Sequence, residues 1–314
     1  MEYRIYPLED QSRLDEICNL FAKGLAETTP EYWRWKHFTY NGHPKGMILV
    51  AETEDGVLAG MFALQPEWYA CANKKILAIQ NEDLVIDPIY RGTGLMKKLY
   101  SYAKEYYTKL GSVGSISFCN PASYPIFLKY GAEDSGDIYV YNSSKRLLPF
   151  NLKKESVEIN EWRIEVTGQM PTDLFYSVNE SAFQMVKNDL FMRWKFVENP
   201  DGPFQWLTIR KNGKLEGYMV VKIVRGKFRR AVNIYDWALQ DDLPDELLRA
   251  AVKLLQTYGN WVSLWGRYSE HILDKWARAG LKHKSRQGTH FVLHTFGNIA
   301  MPDNWQLTRA DLDY

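Results

Sequence analysis

The spacing of apolar residues changes along the chain from a pattern typical of strands to one typical of helices. Residues 75–86, KILAIQNEDLVI, end in a continuous apolar run, as buried strands do. Asp87-Pro88 ends this strand, because proline has no N–H for a strand ladder. Between residues 95 and 110 apolar side chains recur with the helical period. The pattern predicts a buried strand, a turn at residues 91–94 and an amphipathic helix.

The same order of elements is found twice. Residues 32–64 and 190–222 each begin with an Arg-Trp-Lys sequence and continue with two apolar strands around a turn. The turns are Asp55-Gly56 and Asn212-Gly213, which are strong hairpin signals. Residues 122–132 and 271–281 extend the parallel more weakly. We therefore expect a divergent duplication, with domains at residues 1–150 and 151–314.

Composition narrows the class of protein. A chain of 314 residues is long for one hydrophobic core and fits two domains. Its net charge of +1 gives no bulk electrostatic reason for binding nucleic acid or an anionic membrane. The three cysteines are not spaced as metal ligands, and no apolar run reaches the roughly 20 residues of a membrane helix. We expect a cytoplasmic protein with no metal, nucleic-acid or membrane partner.

Gly92 and Gly94 lie where the predicted helix begins. A helix N-terminus has unsatisfied N–H groups and a partial positive charge, and glycine lets the backbone approach a phosphate. An ordinary tight turn with positive φ is the alternative, and two glycines alone favour it. The dinucleotide fingerprint is excluded because its third glycine position holds Lys97, and the Gly-Lys-Ser/Thr of a P-loop is missing.

Two segments in order resemble one known family. Residues 84–96, LVIDPIYRGTGLM, are similar to the acyl-CoA-binding motif of the GNAT superfamily of N-acetyltransferases, R/Q-x-x-G-x-G/A after a strand. Residues 120–132, NPASYPIFLKYGA, look like the next block of that family. The resemblance implies an α/β (α+β) fold of two tandem GNAT-like domains, each a mixed, mainly antiparallel sheet flanked by helices.

The resemblance also implies how an acyl-CoA donor, acetyl-CoA or a longer one, would be held. The strand before the turn would splay from its neighbour and bind the pantetheine arm through its backbone, which would also polarise the thioester carbonyl. The N–H groups of the turn would bind the pyrophosphate. The implied cofactor-binding residues are Leu84, Val85, Ile86, Arg91, Gly92, Thr93, Gly94, Leu95, Met96, Asn120 and Phe127.

Two positions depart from the family pattern. The last motif position, normally Gly or Ala, is Met96. The frequent general-acid tyrosine of the family falls at Phe127, which has no proton to donate. Tyr124 or Tyr130, a group of the second domain or water would then protonate the leaving thiolate, and we select Tyr124.

Direct acyl transfer needs a neutral amine, so a base must accept a proton. Glu82 and Asp83 stand just before the strand segment that would splay, where the family often carries its carboxylate. Strand alternation predicts that they point to opposite faces. We favour Glu82 over Asp83 as the base. Ion pairing with nearby Lys or Arg is an equally weighted interpretation of both.

The second copy has no glycine turn. Residues 241–246, DDLPDE, occupy that position, and four carboxylates at a helix start would repel a pyrophosphate. We therefore expect the second copy to bind no CoA and to form the other wall of an acceptor cleft. The residues selected there as substrate-binding are Asp236, Trp265, Arg267 and His271.

The resulting hypothesis is an acyl-CoA-dependent N-acyltransferase that transfers an acetyl or short acyl group directly to a primary amine of a small acceptor. A nucleotide-linked amino sugar is the favoured acceptor, because short strings such as Trp-Arg-Trp-Lys resemble the two-domain GNAT sugar N-acyltransferases that act on such sugars. A non-catalytic acyl-CoA sensor or scaffold is one alternative, and Phe127 favours it. An aminoacyl-tRNA-dependent transferase is another, which would not need the glycine turn. Both a monomer and a homodimer fit the sequence.

Overall fold

The structure of the protein is a computed structural model that describes residues 2–40, 42, 44–71, 73–144, 154–176, 182–226, 230–296 and 305–311. The chain divides into two compact units. Unit 1 consists of Met1–Tyr69, Lys74–Gly136 and Thr289–Met301, and unit 2 of Ala70–Asn73, Asp137–Gly288 and Pro302–Tyr314. The boundary expected near residue 150 lies outside the described residues.

Helices lie between runs of strands along the chain. The strands are β1 (Arg4–Pro7), β2 (Met47–Glu52), β3 (Leu58–Cys71), β4 (Lys74–Ile86), β5 (Gly114–Cys119), β6 (Glu133–Ser143), β7 (Ser156–Ile159), β8 (Trp162–Thr167), β9 (Gln184–Met185), β10 (Gln205–Lys211), β11 (Lys214–Arg225), β12 (Arg230–Leu239), β13 (Trp261–Arg267), β14 (Leu281–Thr295) and β15 (Leu307–Thr308). The α-helices are α1 (Leu14–Gly24), α2 (Pro30–Arg34), α3 (Leu95–Lys109), α4 (Tyr124–Lys129), α5 (Asp189–Met192), α6 (Asp245–Leu255) and α7 (Glu270–Ala279). None of the helices in the described ranges is long and apolar enough to cross a membrane.

Unit 1 is a mixed sheet with helices on both faces. β1, β2 and β3 are antiparallel neighbours, whereas β4 runs parallel to β5. Along β2, Leu49 and Ala51 join the core beneath α3, while Ile48 and Val50 join the core beneath α1. This alternation buries β2 on both faces, as its continuous apolar sequence requires.

A segment from the end of the chain completes the sheet of unit 1. The last residues of β14 pair antiparallel with β5, so that His290 lies opposite Cys119 and Thr295 opposite Gly114. The sequence pattern did not predict this pairing, because β5 and β14 are far apart along the chain.

Unit 2 is also a mixed, mainly antiparallel sheet. β7, β8, β10, β11 and β12 follow one another antiparallel, and β12 runs parallel to β13. β13 pairs antiparallel with β6 and with β15. Leu247, Leu248 and Ala251 of α6 pack on this sheet in one buried cluster with Met219 and Ile234.

The predicted repeat is present as two helix-and-hairpin segments. α2 and α5 each begin with a side-chain cap, in which Thr29 accepts from the N–H of Tyr32 and Asn188 from that of Phe191. Each helix then widens into a π-helical turn, Trp35–Thr39 or Arg193–Val197. Such turns are rare and often lie at functional sites. The sequence predicted the hairpins but not the π-helical turns.

Candidate active site

The glycine turn precedes α3 as the sequence predicted. Gly92 and Gly94 have φ of +78° and +82°, which favours glycine, and a Cβ on either would meet no atom within 4 Å. Gly94 is the N-cap of α3, and no side chain caps this helix start. Met96 is buried in the core of the unit. The space beside both glycines is therefore open, at the positive end of a 15-residue helix.

Residues outside the motif support this turn. The hydroxyl of Tyr3 donates to Oγ1 of Thr93 at 3.0 Å, and Thr93 donates to the carbonyl of Tyr90 at 2.8 Å. The guanidinium of Arg91 donates to the carbonyl of Ile86 at 3.2 Å. These contacts tie the turn both to the start of the chain and to the end of β4.

The start of the same loop is fixed by a capping carboxylate. Asp87 accepts from the N–H of Ile89 at 3.1 Å and from Nζ of Lys23 at 3.0 Å. Burial raises the pKa of Asp87, but these hydrogen bonds outweigh burial and lower that pKa. An anionic Asp87 thus holds the C-terminal end of α1 against the loop.

The pairing of β4 with β5 ends early. The paired residues run from Ile79–Ser115 to Asn81–Ser117, and β4 continues to Ile86. Nδ2 of Asn81 donates to Oγ of Ser117 at 2.8 Å at this point. The segment 84–86 follows, and it leads directly into the glycine turn.

Glu82 and Asp83 lie where the pairing has just ended. Nζ of Lys36 lies 2.7 Å from Asp83 and 3.5 Å from Glu82. Nδ1 of His37 lies 3.9 Å from Glu82, and its Nε2 lies 3.5 Å from Asp83. Strict strand alternation predicts opposite faces for the two carboxylates, but here both reach the same ammonium and the same imidazole.

The ion pairs distinguish the two carboxylates. Burial raises the pKa of Asp83, but the charge of Lys36 and the hydrogen bond to His37 outweigh burial and hold that pKa well below its usual range. Asp83 is therefore a poor proton acceptor, and the longer 3.5 Å separation leaves Glu82 less tightly bound to the ammonium. Donor atoms of His37, Glu82 and Asp83 lie within 4.8 Å of one another, a spacing that would suit a metal ion, but the Lys36 ammonium already supplies a cation there.

The block after β5 forms a short capped helix. Oδ1 of Asn120 accepts from the N–H groups of Ala122 and Ser123, each at 2.9 Å. This side chain therefore shapes the start of α4. Phe127 is 5% exposed and packs edge-on against Tyr100 in the core.

Tyr124 lies one helical turn before Phe127. Its ring stacks on the imidazole of His290, with centroids 4.2 Å apart and planes at 25°. Both side chains are partly exposed. Of the two aromatic side chains, Tyr124 is thus the one with a proton to donate and with access to solvent.

Helix α6 of unit 2 begins with acidic residues, as the sequence predicted: Asp245 and Glu246 lie in its first turn. Nε of Arg278 donates to Asp245 at 2.5 Å, and this hydrogen bond lowers the pKa of Asp245. The first turn of α6 is therefore acidic, whereas the first turn of α3 has no acidic residue.

Asp236, which the sequence predicted to bind the acceptor substrate, is buried inside unit 2. It accepts from Nζ of Lys187 at 2.5 Å and from Oγ1 of Thr308 at 3.0 Å. Nζ of Lys187 also lies 2.8 Å from Asp311. Burial raises the pKa of Asp236, while Lys187 opposes this effect and the charge of Asp311 adds to it.

Two other residues that the sequence predicted to bind the acceptor substrate contact the C-terminal segment, residues 305–311, which also contains Asp311. The guanidinium of Arg309 lies 4.0 Å from the ring centroid of Trp265, and that of Arg267 lies 5.3 Å from Trp305. His271 is exposed on α7. The roles of these residues in acceptor binding stay predictions.

Sequence reasoning missed several residues of the site. The repeat could have indicated Lys36, because this residue corresponds to Lys195 of the second copy. His37 follows it directly but has no counterpart in the second copy, and nothing in the sequence links Tyr3 or His290 to the glycine turn or to α4. Only the fold brings them together.

Comparison with known proteins places residues 14–132 in a family. They match the family described as "Acetyltransferase (GNAT) family". The matched residues include β4, the glycine turn and α4, although they make up less than half of the chain. Residues 14–132 thus form an acetyltransferase domain of the GNAT type. A search among curated proteins gave no significant match.

Solved structures show the same fold over nearly the whole chain. A probable N-acyltransferase from Enterococcus faecalis V583 is 13% identical with a TM-score of 0.68, over 94% of this chain and 72% of that one. A tandem GNAT protein from the clavulanic acid biosynthesis pathway is 12% identical with a TM-score of 0.60, over 95% and 100%. N-myristoyltransferase from Saccharomyces cerevisiae, with bound myristoyl-CoA, is 10% identical with a TM-score of 0.59, over 98% and 83%. This likeness confirms the fold expected from the sequence, two GNAT-like domains in tandem.

Proposed function

We propose, from the GNAT-type domain at residues 14–132, that this protein is an acyl-CoA-dependent N-acyltransferase. The observation that carries the proposal is the uncapped start of α3 behind two open, positive-φ glycines, directly after the strand that leaves its neighbour. A pyrophosphate would bind there through backbone N–H groups and the helix dipole. Lys97 and Lys98 are exposed on the same helix and add positive charge.

The acyl donor would lie along the end of β4. Backbone groups of residues 84–86 would hold the pantetheine arm, and the same groups would stabilise the oxyanion that forms when the thioester is attacked. The yeast N-myristoyltransferase that shares this fold binds myristoyl-CoA, which supports an acyl-CoA donor. We propose acetyl-CoA or another short acyl-CoA as the donor here.

Each step of the transfer has a candidate residue. Glu82 accepts the proton that makes the acceptor amine nucleophilic, because Lys36 makes Asp83 the weaker base. The amine nitrogen then bonds to the carbonyl carbon, and the carbon–sulfur bond breaks. Tyr124 donates a proton to the leaving thiolate, since Phe127 has none to give, and the second proton that the nitrogen loses as the amide forms restores the hydroxyl of Tyr124. The products are an amide and CoA thiol.

The acceptor that we propose is a small primary amine, and within that class an amino sugar linked to a nucleotide. The support for the sugar is the similarity of short strings in the sequence. Asp236, Trp265, Arg267 and His271 stay the proposed acceptor-binding residues. The three free cysteines fit the cytoplasmic location that we propose.

A thiol-release assay tests the function. Purified protein is mixed with acetyl-CoA and a panel of nucleotide-linked amino sugars and simple amines. Turnover with any amine, lost in the Gly92→Glu/Gly94→Glu variant, supports the proposal. The matched control is Gly56→Glu/Gly213→Glu, because those glycines also have positive φ and open space around them. Absence of thiol release with every amine, or full activity in the first variant, would refute the proposal.

A further inference from the structure

The C-terminal segment, residues 305–311, lies between two strands of unit 2 that have separated. Gly266 of β13 pairs with β6 on one edge and with Thr308 of the segment on the other. Because a strand has two pairing edges, the segment occupies the edge that β12 uses earlier along β13. The pairs of β12 with β13 end at Ile234–Leu264. The segment therefore fills the space that opens where β12 leaves β13, and we call this space the unit 2 gap.

The segment contacts both walls of the unit 2 gap. The hydroxyl of Thr308 donates to Asp236 of β12 at 3.0 Å. The guanidinium of Arg309 lies 4.3 Å from the ring centroid of Tyr235 on β12 and 4.0 Å from that of Trp265 on β13. Both distances are within the range of cation–π attraction. The segment thus bridges the two strands at the level where they no longer pair.

The segment is held in the gap as a peptide is held at a sheet edge. Leu307 is fully buried, and the ring of Trp305 contacts that of Phe183 with centroids 4.7 Å apart. The N–H of Gln306 donates to the carbonyl of Phe183 at 3.0 Å. Backbone pairing to a strand, with side chains in pockets beside it, is a common mode of peptide recognition.

Unit 1 separates its strands at the corresponding place. The pairs of β4 with β5 end at Asn81–Ser117, and the pairs of β12 with β13 pass through Asn233–Ser263. Beyond this point Phe118 and Cys119 pair with β14, on the edge of β5 away from β4. The proposed function puts the pantetheine arm of the acyl donor between β4 and β5. The C-terminal segment takes the equivalent position in unit 2.

The charges in the unit 2 gap favour an occupant that can be exchanged. Nζ of Lys187 lies 2.5 Å from Asp236 and 2.8 Å from Asp311. One buried ammonium thus faces two buried carboxylates, and burial disfavours the net charge of −1 that results. Release of the segment removes Asp311 and leaves Lys187 and Asp236 as a neutral ion pair. Asp236 therefore keeps its cation whether or not the segment is bound.

We propose that the unit 2 gap is a binding site for an extended peptide and that residues 305–311 are its built-in ligand. The comparison with the donor arm rests on the proposed function, whereas the contacts of the segment do not. The first turn of α6 in this unit is acidic and would repel a pyrophosphate. The ligand of the gap is therefore a polypeptide and not an acyl-CoA. The covalent link gives the segment an effective concentration on the order of 1 mM, so a free peptide at micromolar concentration does not displace it.

The test releases the segment within the full chain and offers it back as a separate peptide. Leu307→Asp puts a carboxylate at a fully buried position and should expel the segment. Leu190→Asp is the matched control, because Leu190 of the same unit is 44% exposed. The probe is a fluorescent peptide of residues 305–311, WQLTRAD, and its control is the peptide that carries Leu307→Asp. Fluorescence anisotropy should give a peptide Kd at least about 10-fold lower for Leu307→Asp than for the wild type or Leu190→Asp.

The outcomes decide between a peptide site, a donor site and a fixed strand. Near-ultraviolet circular dichroism first establishes that Leu307→Asp is folded. Equal peptide affinity of the folded variant and the wild type would overturn the proposal. Calorimetric binding of a second acetyl-CoA by the folded variant would also overturn it, because the gap would then accept a donor. The peptide assay contains no acyl donor, so its failure leaves the proposed N-acyltransferase function intact.

If Leu307→Asp does not fold, hydrogen exchange of the wild type decides. The N–H groups of Gln306 and Thr308 are both hydrogen-bonded, as is the N–H of Val262 in β13. A bound segment should be released by local opening, so its two N–H groups should exchange at least about 10-fold faster than that of Val262. Equal exchange rates at all three positions would mean that the segment opens only with the whole unit, and would overturn the proposal.

Discussion

The ammonium of Lys36 lies 2.7 Å from the carboxylate of Asp83, and both side chains are largely withdrawn from water. Lys36 comes from a π-helical turn and Asp83 from β4, 47 residues later. This pair fixes the turn against the strand, and it lowers the pKa of Asp83. Its consequences can be tested through the stability of the protein and through the pH dependence of that stability.

Loss of the Lys36 charge should destabilise the protein. Lys36→Met leaves a buried carboxylate without its cation, and breaking a buried pair in this way costs about 3–5 kcal/mol. Urea unfolding followed by circular dichroism measures the effect. Lys109→Met is the control, because the Lys109–Glu105 pair is exposed and should change the unfolding midpoint little. Equal midpoints for the two variants would contradict the structural role of Lys36.

Asp83 should make the stability of the protein depend on acid pH. Its pKa is lowered on folding, so its contribution is fully present above the ordinary value of 3.8 and is lost as pH falls below that value toward the folded pKa. The free energy of unfolding of the wild type should therefore fall more steeply than that of Asp83→Asn as pH falls below about 4. Parallel curves for the two proteins would show that Asp83 is not stabilised as an anion.

The stacked pair Tyr124 and His290 should act in the chemical step. Tyr124→Phe removes the proposed acid, and we expect kcat to fall about 100-fold while the acyl-CoA Kd is unchanged. His290→Phe keeps the stacking contact and should retain most of the rate, whereas His290→Ala should lose it. In the Tyr124→Phe background, His290→Ala should have little further effect. An equal loss in both backgrounds would mean that the two residues act independently.

Tyr3 should strengthen donor binding through the glycine turn. Its hydroxyl donates to Thr93, and a hydrogen bond of this kind contributes about 1 kcal/mol. Tyr3→Phe should therefore weaken acyl-CoA binding about fivefold without changing kcat. Thr93→Val removes the other partner of this hydrogen bond. The double variant should bind acyl-CoA no more weakly than the weaker-binding single variant. Additive losses in a calorimetric cycle would argue against the contact.

Lys187 should stabilise unit 2. It lies between Asp236 and Asp311, and its removal would leave two buried carboxylates next to each other. Lys187→Met should cost about 3–5 kcal/mol of unfolding free energy, by the same argument as for Lys36. If adding Asp311→Asn restores stability to the Lys187→Met variant, the result would support the contact between the C-terminal segment and β12. A wild-type unfolding curve for Lys187→Met would contradict it.

The local parts of the fold could be predicted from the sequence. β4, the glycine turn and α3 follow one another within residues 74–109, so their apolar spacing and their glycines were sufficient. The hairpin turns at Asp55-Gly56 and Asn212-Gly213 were predicted for the same reason. Each of these features depends on neighbours in sequence.

The contacts that complete the site could not be predicted. His37 meets Glu82, and His290 meets Tyr124, only after distant segments are brought into one sheet. Strand alternation even suggested that Glu82 and Asp83 would separate. It failed because both side chains reach Lys36, which lies in a π-helical turn that the sequence pattern did not predict.

Binding of the acyl donor at the start of α3 can be measured by calorimetric titration of acetyl-CoA into the wild type, Gly92→Glu/Gly94→Glu and Gly56→Glu/Gly213→Glu. We expect saturable binding of one acetyl-CoA by the wild type and by the second variant. We expect no binding by the first variant, because two carboxylates would stand where the pyrophosphate must lie. Equal binding by all three proteins, or by none of them, would contradict the claim that the start of α3 holds the acyl donor.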